Sequence, residues 1–330
     1  MPAMIVAATG ENIERAASLL RAGQLVSFPT ETVYGLGADA RNEEALRRLF
    51  AAKGRPAEHP LIVHIAGASA LSRWARSVPA GARALADAFW PGPLTLILPC
   101  AGDVSDAVTG GQNSIGLRVP AHPVAQALLR SFVGFGGEGV AAPSANRFGR
   151  VSATTAQHVA DDFGNEVALI LDGGPCRHGI ESTIVSFTGE EPTLLRPGAL
   201  GPDVLARVLG RVPTPPGPDA PRAPGMLAAH YAPRTPALLL PREALLNALA
   251  RIGASTGHIA VLAHSVAQPP LFEGTWFDAP GRGAEYAQQL YANLRALDAR
   301  AADEIWIEAP PEGPEWHAVR DRLRRATHRG

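Results

Sequence analysis

The chain has 330 residues, 46% hydrophobic and 18% charged, with a formal net charge of -1. That balance offers no global attraction for nucleic acid, and the length predicts two domains, since single cores stop growing at roughly 250–300 residues. Cys100 and Cys176 stand far apart and outside any C-x-x-C, which excludes a zinc ribbon or disulfide scaffold and suits a reducing compartment. No apolar run approaches the ~20 residues of a membrane span, and no basic start precedes an apolar leader. A cytoplasmic location without membrane contact is expected.

In chain order, residues 25–28 read as a strand, and Asn42 as the N-cap of a helix to about Ala52, with Glu43 and Glu44 in its first turn. Strands follow at 61–65, 94–98, 115–119, 169–171, 183–185 and 194–195, with helices near 80–89, 122–132 and 154–163. This is an α/β pattern with a twisted mixed sheet. Residues 213–224 hold six prolines (213, 215, 216, 218, 221 and 224) and predict an extended, semi-rigid linker. The expected division is 1–212, a linker over 213–234, and 235–330. In the last part, strands 237–240, 259–262, 275–278 and 304–307 interleave with helices near 242–252, 283–299 and 314–326. Such alternation predicts a smaller, Rossmann-like parallel α/β domain, although no G-x-G-x-x-G follows its first strand.

The chemistry is written mostly in the N-terminal part. Of 30 basic side chains only one, Lys53, is a lysine. Where arginine has replaced lysine everywhere else, the survivor marks a place suited to a compact ammonium. Two readings stand for Lys53-Gly54-Arg55-Pro56: a clamp for polyphosphate, or a helix C-terminus with its cation and left-handed glycine. Residues 29–37, Pro-Thr-Glu-Thr-Val-Tyr-Gly-Leu-Gly, read either as a close-approach polar loop or as a plain turn. Ser114 and Arg118 fall on one face of a strand; Arg118 either holds an anion or snorkels from an edge. Ser144 and Asn146 lie in a small-residue loop, and Ser152 reads as an N-cap that also suits phosphate. Glu181, Ser182 and Arg196 flank later strands. No G-x-S-x-G, H-E-x-x-H or Walker-type loop occurs, so binding of polar substrates and charge stabilisation are favoured over covalent catalysis.

In order, the segments PTETVYGLG, KGRPAEHPLIVHI, FWPGPLTLIL, GLRVPAHP, APSAN, GIESTIV and LLRPG closely resemble the YrdC family over residues 10–205. Pro224-Gly225-Met226 and His230-Tyr231-Ala232-Pro233 resemble the linker of its long, two-domain form, the threonylcarbamoyl-AMP synthases. The resemblance implies a twisted N-terminal sheet around a concave cavity, a Rossmann-like C-terminal domain, and a linker that lies over the cavity. It implies that L-threonine, bicarbonate and ATP, with Mg2+ as helper, give threonylcarbamoyl-AMP and pyrophosphate. The product then passes to the tRNA threonylcarbamoyl transferase machinery for modification beside the anticodon. By motif position, Thr32, His64, Arg118, Ala142 and Ser182 hold threonine. Lys53, Arg55, His59, Ser114, Ser144, Asn146, Ser152, Arg196 and Tyr231 line the ATP side, with Lys53 and Arg55 catalytic. Departures from the family pattern are Ser186 for Asp, Phe148 for Ser, Ala153 for Pro, and Leu227-Ala228-Ala229 where basic residues are usual. A weak tRNA contact is a further expectation. The competing class is an RNA-binding module without ATP turnover, with its best footprint at Arg320, Arg322, Arg324, Arg325 and Arg329; a solvated helix face, with Asp321 interleaved, explains that tail more simply.

Overall fold

A computed structural model describes residues 4–252 and 258–328. It divides into two compact units, one running to Phe148 and resuming over Ser152–Met226, the other formed by Gly149–Val151 and the chain from Leu227. The 213–234 linker is therefore divided between them.

The described residues of the first unit form a ten-stranded mixed sheet. Its strands are β1 (Ile5–Ala7), β2 (Val26–Phe28), β3 (Gly35–Asp39), β4 (Ile62–His64), β5 (Leu94–Pro99), β6 (Ser114–Arg118), β7 (Val140–Ala141), β8 (Leu169–Asp172), β9 (Thr183–Ser186) and β10 (Thr193–Arg196), in the order β1-β8-β2-β3-β7-β4-β6-β5-β9-β10. The helices are α1 (Gly10–Arg21), α2 (Glu43–Lys53), α3 (Ala80–Phe89), α4 (Asp106–Thr109), α5 (Pro123–Gly134), α6 (Ala156–Phe163) and α7 (Pro202–Leu209). The segment expected to be only a loop contains β3, which pairs antiparallel with β2. Its glycines permit close packing: a Cβ at Gly37 would come within 2.9 Å of both Phe28 and Val140. Helix α2 matches its sequence signals, with the Asn42 side chain accepting from Ala45 N and Gly54 left-handed at its end.

Alternation along the central strands separates two faces. Val63, Leu96, Leu98, Leu117 and Val185 join the main helix-covered core. The opposite side carries Ile62, Ile97, Ile184 and Leu195, covered by Ala223 with Ala220 and Met226. Residues 220–226 are thus a packed strap. Gln112 holds it reciprocally, donating to Arg222 O (3.1 Å) and accepting from Arg222 N (2.7 Å).

The second unit has a parallel sheet of β11 (Ala237–Leu240), β12 (Ile259–Ala263), β13 (Thr275–Asp278) and β14 (Glu304–Glu308), ordered β11-β14-β12-β13, with α8 (Arg242–Arg251), α9 (Gly283–Asp298) and α10 (His317–Ala326). At the carboxyl ends of β12 and β14, where such sheets bind nucleotides, Glu308 accepts N–H groups from His264 and Ser265 at 2.8 Å. The arginine tail is not a uniformly solvated face: Arg322 is fully buried, and Asp321 pairs with Arg322, Arg324 and Arg325. Arg329 lies outside the described residues. Among the described residues no helix is long and apolar enough to cross a membrane.

Candidate active site

The face of the central strands that carries Ile62 and Ile184 also carries the polar residues. His64 ends β4 and Arg118 ends β6, and parallel register sets them side by side. Because β6 is interior, Arg118 is buried (4% exposed) rather than a snorkelling edge residue. Its anion is internal: Nη2 donates to Glu31 Oε1 (2.6 Å), Nη1 to Thr32 Oγ1 (2.9 Å) and Nε to Gly92 O (3.3 Å). A guanidinium has five N–H groups, so two remain for a ligand carboxylate. Glu31 Oε2 accepts Ala121 N at 2.9 Å. Burial opposes ionisation of Glu31, but the charge and hydrogen bond of Arg118, with the Ala121 amide, hold its carboxyl below the ordinary value.

The loop before β3 is shaped by Thr30, whose Oγ1 accepts the N–H groups of Thr32 and Val33 (3.2 Å each) and meets Thr32 Oγ1 at 2.8 Å. It is a turn, and through Thr32 and Glu31 it is also part of the arginine site. Burial, then the Arg118 charge, pushes His64 down to about 3, so its imidazole is neutral and an acceptor at physiological pH.

Ser182 meets Thr95 Oγ1 at 2.8 Å. Arg196, expected on the ATP side, braces this residue: Nε and Nη2 donate to Ser182 O (3.1 and 2.9 Å) and Nη2 to its Oγ (3.1 Å), while Nη1 reaches Pro224 O (2.9 Å). Ser114 is buried at the start of β6 on the face of Arg118. Ala142 N is taken by Ile62 O (3.0 Å), which leaves its carbonyl for a ligand.

A second cluster forms around α2. Lys53 is buried, and its Nζ donates to Ser144 O (2.6 Å) and Asn146 O. Burial first, then Arg55, lowers the Lys53 ammonium well below the usual lysine range. Arg55 donates to Pro60 O (2.8 Å), and its guanidinium and the His59 ring lie 5.7 and 5.2 Å from the Phe148 ring. Phe148, the family departure, thus packs with two residues expected to meet nucleotide. Ser152 is not an N-cap: Thr155 caps α6, and Ser152 Oγ donates to buried Glu181. Tyr231 belongs to the second unit, where it stacks on Tyr291 (5.7 Å between ring centroids) with Arg322 over its ring (5.2 Å).

The expected residues therefore group as Thr32-His64-Arg118, Ser182-Arg196, Lys53-Ser144-Asn146 and Arg55-His59; Ser114 shares the face of Arg118, Ala142 pairs with Ile62, Ser152 holds Glu181, and Tyr231 belongs to the second unit. Sequence reasoning missed Glu31, Thr95 and Glu181 as site members. The available signal for Glu31 was Arg118 itself, because a buried charge requires a partner.

Gly198 explains the glycine of LLRPG. A Cβ there would lie 2.4 Å from Thr183 N and 2.7 Å from Ser182 C. Gly198→Ala is expected to cost about 1–3 kcal/mol by displacing the backbone of residues 182 and 183, and urea unfolding checks it.

A family model described as "Telomere recombination" matches residues 18–198, and one described as "Threonylcarbamoyl-AMP synthase, C-terminal domain" matches residues 202–327. Threonylcarbamoyl-AMP synthases of Pyrococcus abyssi and Bacillus subtilis are each 39% identical, covering 96% and 95% of this chain and 94% and 92% of theirs. The crystal structure of P. abyssi Sua5 complexed with L-threonine superposes with a TM-score of 0.90 at 37% identity, over 99% of this chain and 97% of that one. E. coli YciO, at 24% identity and a TM-score of 0.51, covering 59% of this chain and 95% of its own, shares the fold of the first unit. Matched along nearly its whole length in sequence and structure, this chain belongs to the threonylcarbamoyl-AMP synthase family in its two-domain form.

Proposed function

We infer that this chain joins L-threonine, bicarbonate and ATP into L-threonylcarbamoyl-AMP, with release of pyrophosphate. The observation that carries the reading is the uncommitted N–H pair of buried Arg118, set beside a neutral His64. It suits one end of an amino acid, the carboxylate, while the imidazole can accept from the amine. The amine nitrogen adds to the carbon of carbon dioxide drawn from bicarbonate and loses a proton, giving a carbamate. A carbamate oxygen attacks the α-phosphorus, and the bond from that phosphorus to the α,β-bridging oxygen breaks, so that pyrophosphate leaves with the bond's electron pair. No enzyme nucleophile is required; Lys53 and Arg55 supply positive charge for the leaving pyrophosphate. Among the described residues no group of three or more His, Cys, Asp or Glu could hold a metal. Glu31 and Glu181 both carry hydrogen bonds from protein donors. Mg2+ is proposed to arrive with the ATP substrate. Ser114, Ser144, Asn146, Ser152 and His59 are proposed on the nucleotide side, and Tyr231 is proposed as a nucleotide contact. The labile product is proposed to pass to a tRNA-modifying transferase.

Pyrophosphate release from ATP should require both L-threonine and bicarbonate, with other amino acids and carbon-dioxide-free buffer as controls. Release indifferent to either would sink the reading.

A further inference from the structure

We propose that Glu31 is a positioning residue for the amino-acid subsite, holding Arg118 so that the guanidinium's remaining N–H groups face the substrate carboxylate. The inference rests on the threonine reading above. Glu31 and Arg118 are 87 residues apart in the chain yet form a buried pair, with side chains 7% and 5% exposed. Three acceptors from three places fix the guanidinium: Glu31 Oε1 on Nη2, Thr32 Oγ1 on Nη1 and Gly92 O on Nε. A planar fork with donors held on all three nitrogens has little freedom to rotate, so its free donors are set before substrate arrives. Glu31 is itself fixed. Its second oxygen accepts Ala121 N, and its backbone carbonyl accepts His178 N at 2.8 Å. Through its carboxylate Glu31 thus joins the loop before β3 to the end of β6 and the segment after it, and through its backbone carbonyl to the segment before β9.

The competing account is simple charge balance, in which Glu31 only neutralises Arg118. The two accounts predict opposite signs. If Glu31 only cancelled charge, removing its charge would leave a stronger cation and tighten threonine binding. If Glu31 positions the fork, Glu31→Gln offers one carbonyl oxygen where two acceptors are needed. Arg118 and the Ala121 amide cannot both be satisfied, the fork reorients, and threonine binds more weakly. Glu31→Asp keeps the charge but is one methylene too short to reach both partners.

The test is calorimetric titration of L-threonine and of ATP into the full-length chain. The proteins are wild type, Glu31→Gln, Glu31→Asp, Arg118→Lys and the double variant Glu31→Gln/Arg118→Lys. Threonine Kd should rise about tenfold or more in Glu31→Gln while ATP Kd stays within about twofold. The double variant should bind threonine no worse than about twofold beyond Arg118→Lys alone, because Glu31 acts through that arginine. Unchanged or tighter threonine binding, an equal loss for ATP, or full additivity in the double variant overturns the proposal. Should Glu31→Gln not fold, Glu31→Asp carries the same test, with a threonine-selective loss expected and its absence fatal. Wild type that binds threonine but releases no pyrophosphate defeats only the reaction reading. Normal turnover with Glu31-independent threonine binding defeats only this inference, and wild type that binds no threonine defeats both.

Discussion

Lys53→Arg is expected to lower kcat/KM for ATP by about a hundredfold or more, the scale of losing one well-placed charged donor. The ammonium lies between two carbonyls, Ser144 O and Asn146 O. It has three N–H groups; two serve those carbonyls and one remains for a phosphate oxygen. A guanidinium is longer and planar, and it cannot occupy a point between two carbonyls in a fully buried position. It must push residues 144–146 away or turn out of the site. Overpacking of this kind costs about 1–3 kcal/mol, and the displaced segment carries Ser144 and Asn146 with it. Lys53→Met separates the causes, because it keeps the length while leaving two carbonyls without their donor. Steady-state pyrophosphate release and urea unfolding measure the two effects, and normal turnover by Lys53→Arg would remove the requirement for an ammonium.

The pH dependence of the same residue has a definite sign. Burial and Arg55 lower the Lys53 pKa in the folded protein. Between that value and the ordinary lysine value, the unfolded chain binds the extra proton, so stability rises with pH across the window. Nucleotide binding runs the other way. Phosphate favours the ammonium, so ATP binding takes up a proton and its affinity falls as pH rises through the free-enzyme value. Titrations of ATP in two buffers of different ionisation enthalpy detect the proton directly.

How much of this was legible in the sequence depended on distance along the chain. Helix α2 was readable because its cap, its acidic first turn and its terminal glycine are all local. Strands β4, β5 and β6 were readable as apolar runs between turns. Helix α1 was not proposed, although Thr9 caps it by accepting Asn12 N at 3.3 Å and Ala16, Ala17 and Leu20 form its buried stripe. Strand β3 was hidden because its glycines resemble turn residues; they serve contact with Phe28 and Val140 across the sheet, which only the fold reveals. The site followed the same rule. Motifs located the cations, but not what each cation already holds: Glu31 for Arg118, Ser182 for Arg196, and the carbonyls of residues 144 and 146 for Lys53. The strap at 220–226 read as a spacer because its prolines speak only of extension, while its contacts with Ile62, Ile97 and Ile184 are tertiary.

Arg118→Met should abolish threonine-dependent turnover and also destabilise the fold, and the second effect should depend on pH in a way that identifies its cause. In the wild type, Glu31 is held below the ordinary carboxylate value by Arg118 in spite of burial. A depressed carboxylate adds stability that is present above the unfolded-state value and is lost as pH falls through the folded value. Methionine fills similar volume but leaves the carboxylate buried without its cation. Breaking one side of a buried pair costs about 3–5 kcal/mol. With the arginine gone, burial is no longer outweighed, and the Glu31 carboxyl rises above its ordinary value. Its contribution then reverses: the variant loses stability as pH rises through that raised value. The gap between wild type and Arg118→Met should therefore be widest near neutral pH and narrow towards pH 4. Glu31→Gln/Arg118→Met, with no charge left to bury, should recover part of the stability at neutral pH while remaining inactive. Urea midpoints of the three proteins across this pH range decide the matter. A gap that stays constant with pH would mean that Arg118 stabilises the fold through packing and hydrogen bonds rather than through the charge of Glu31.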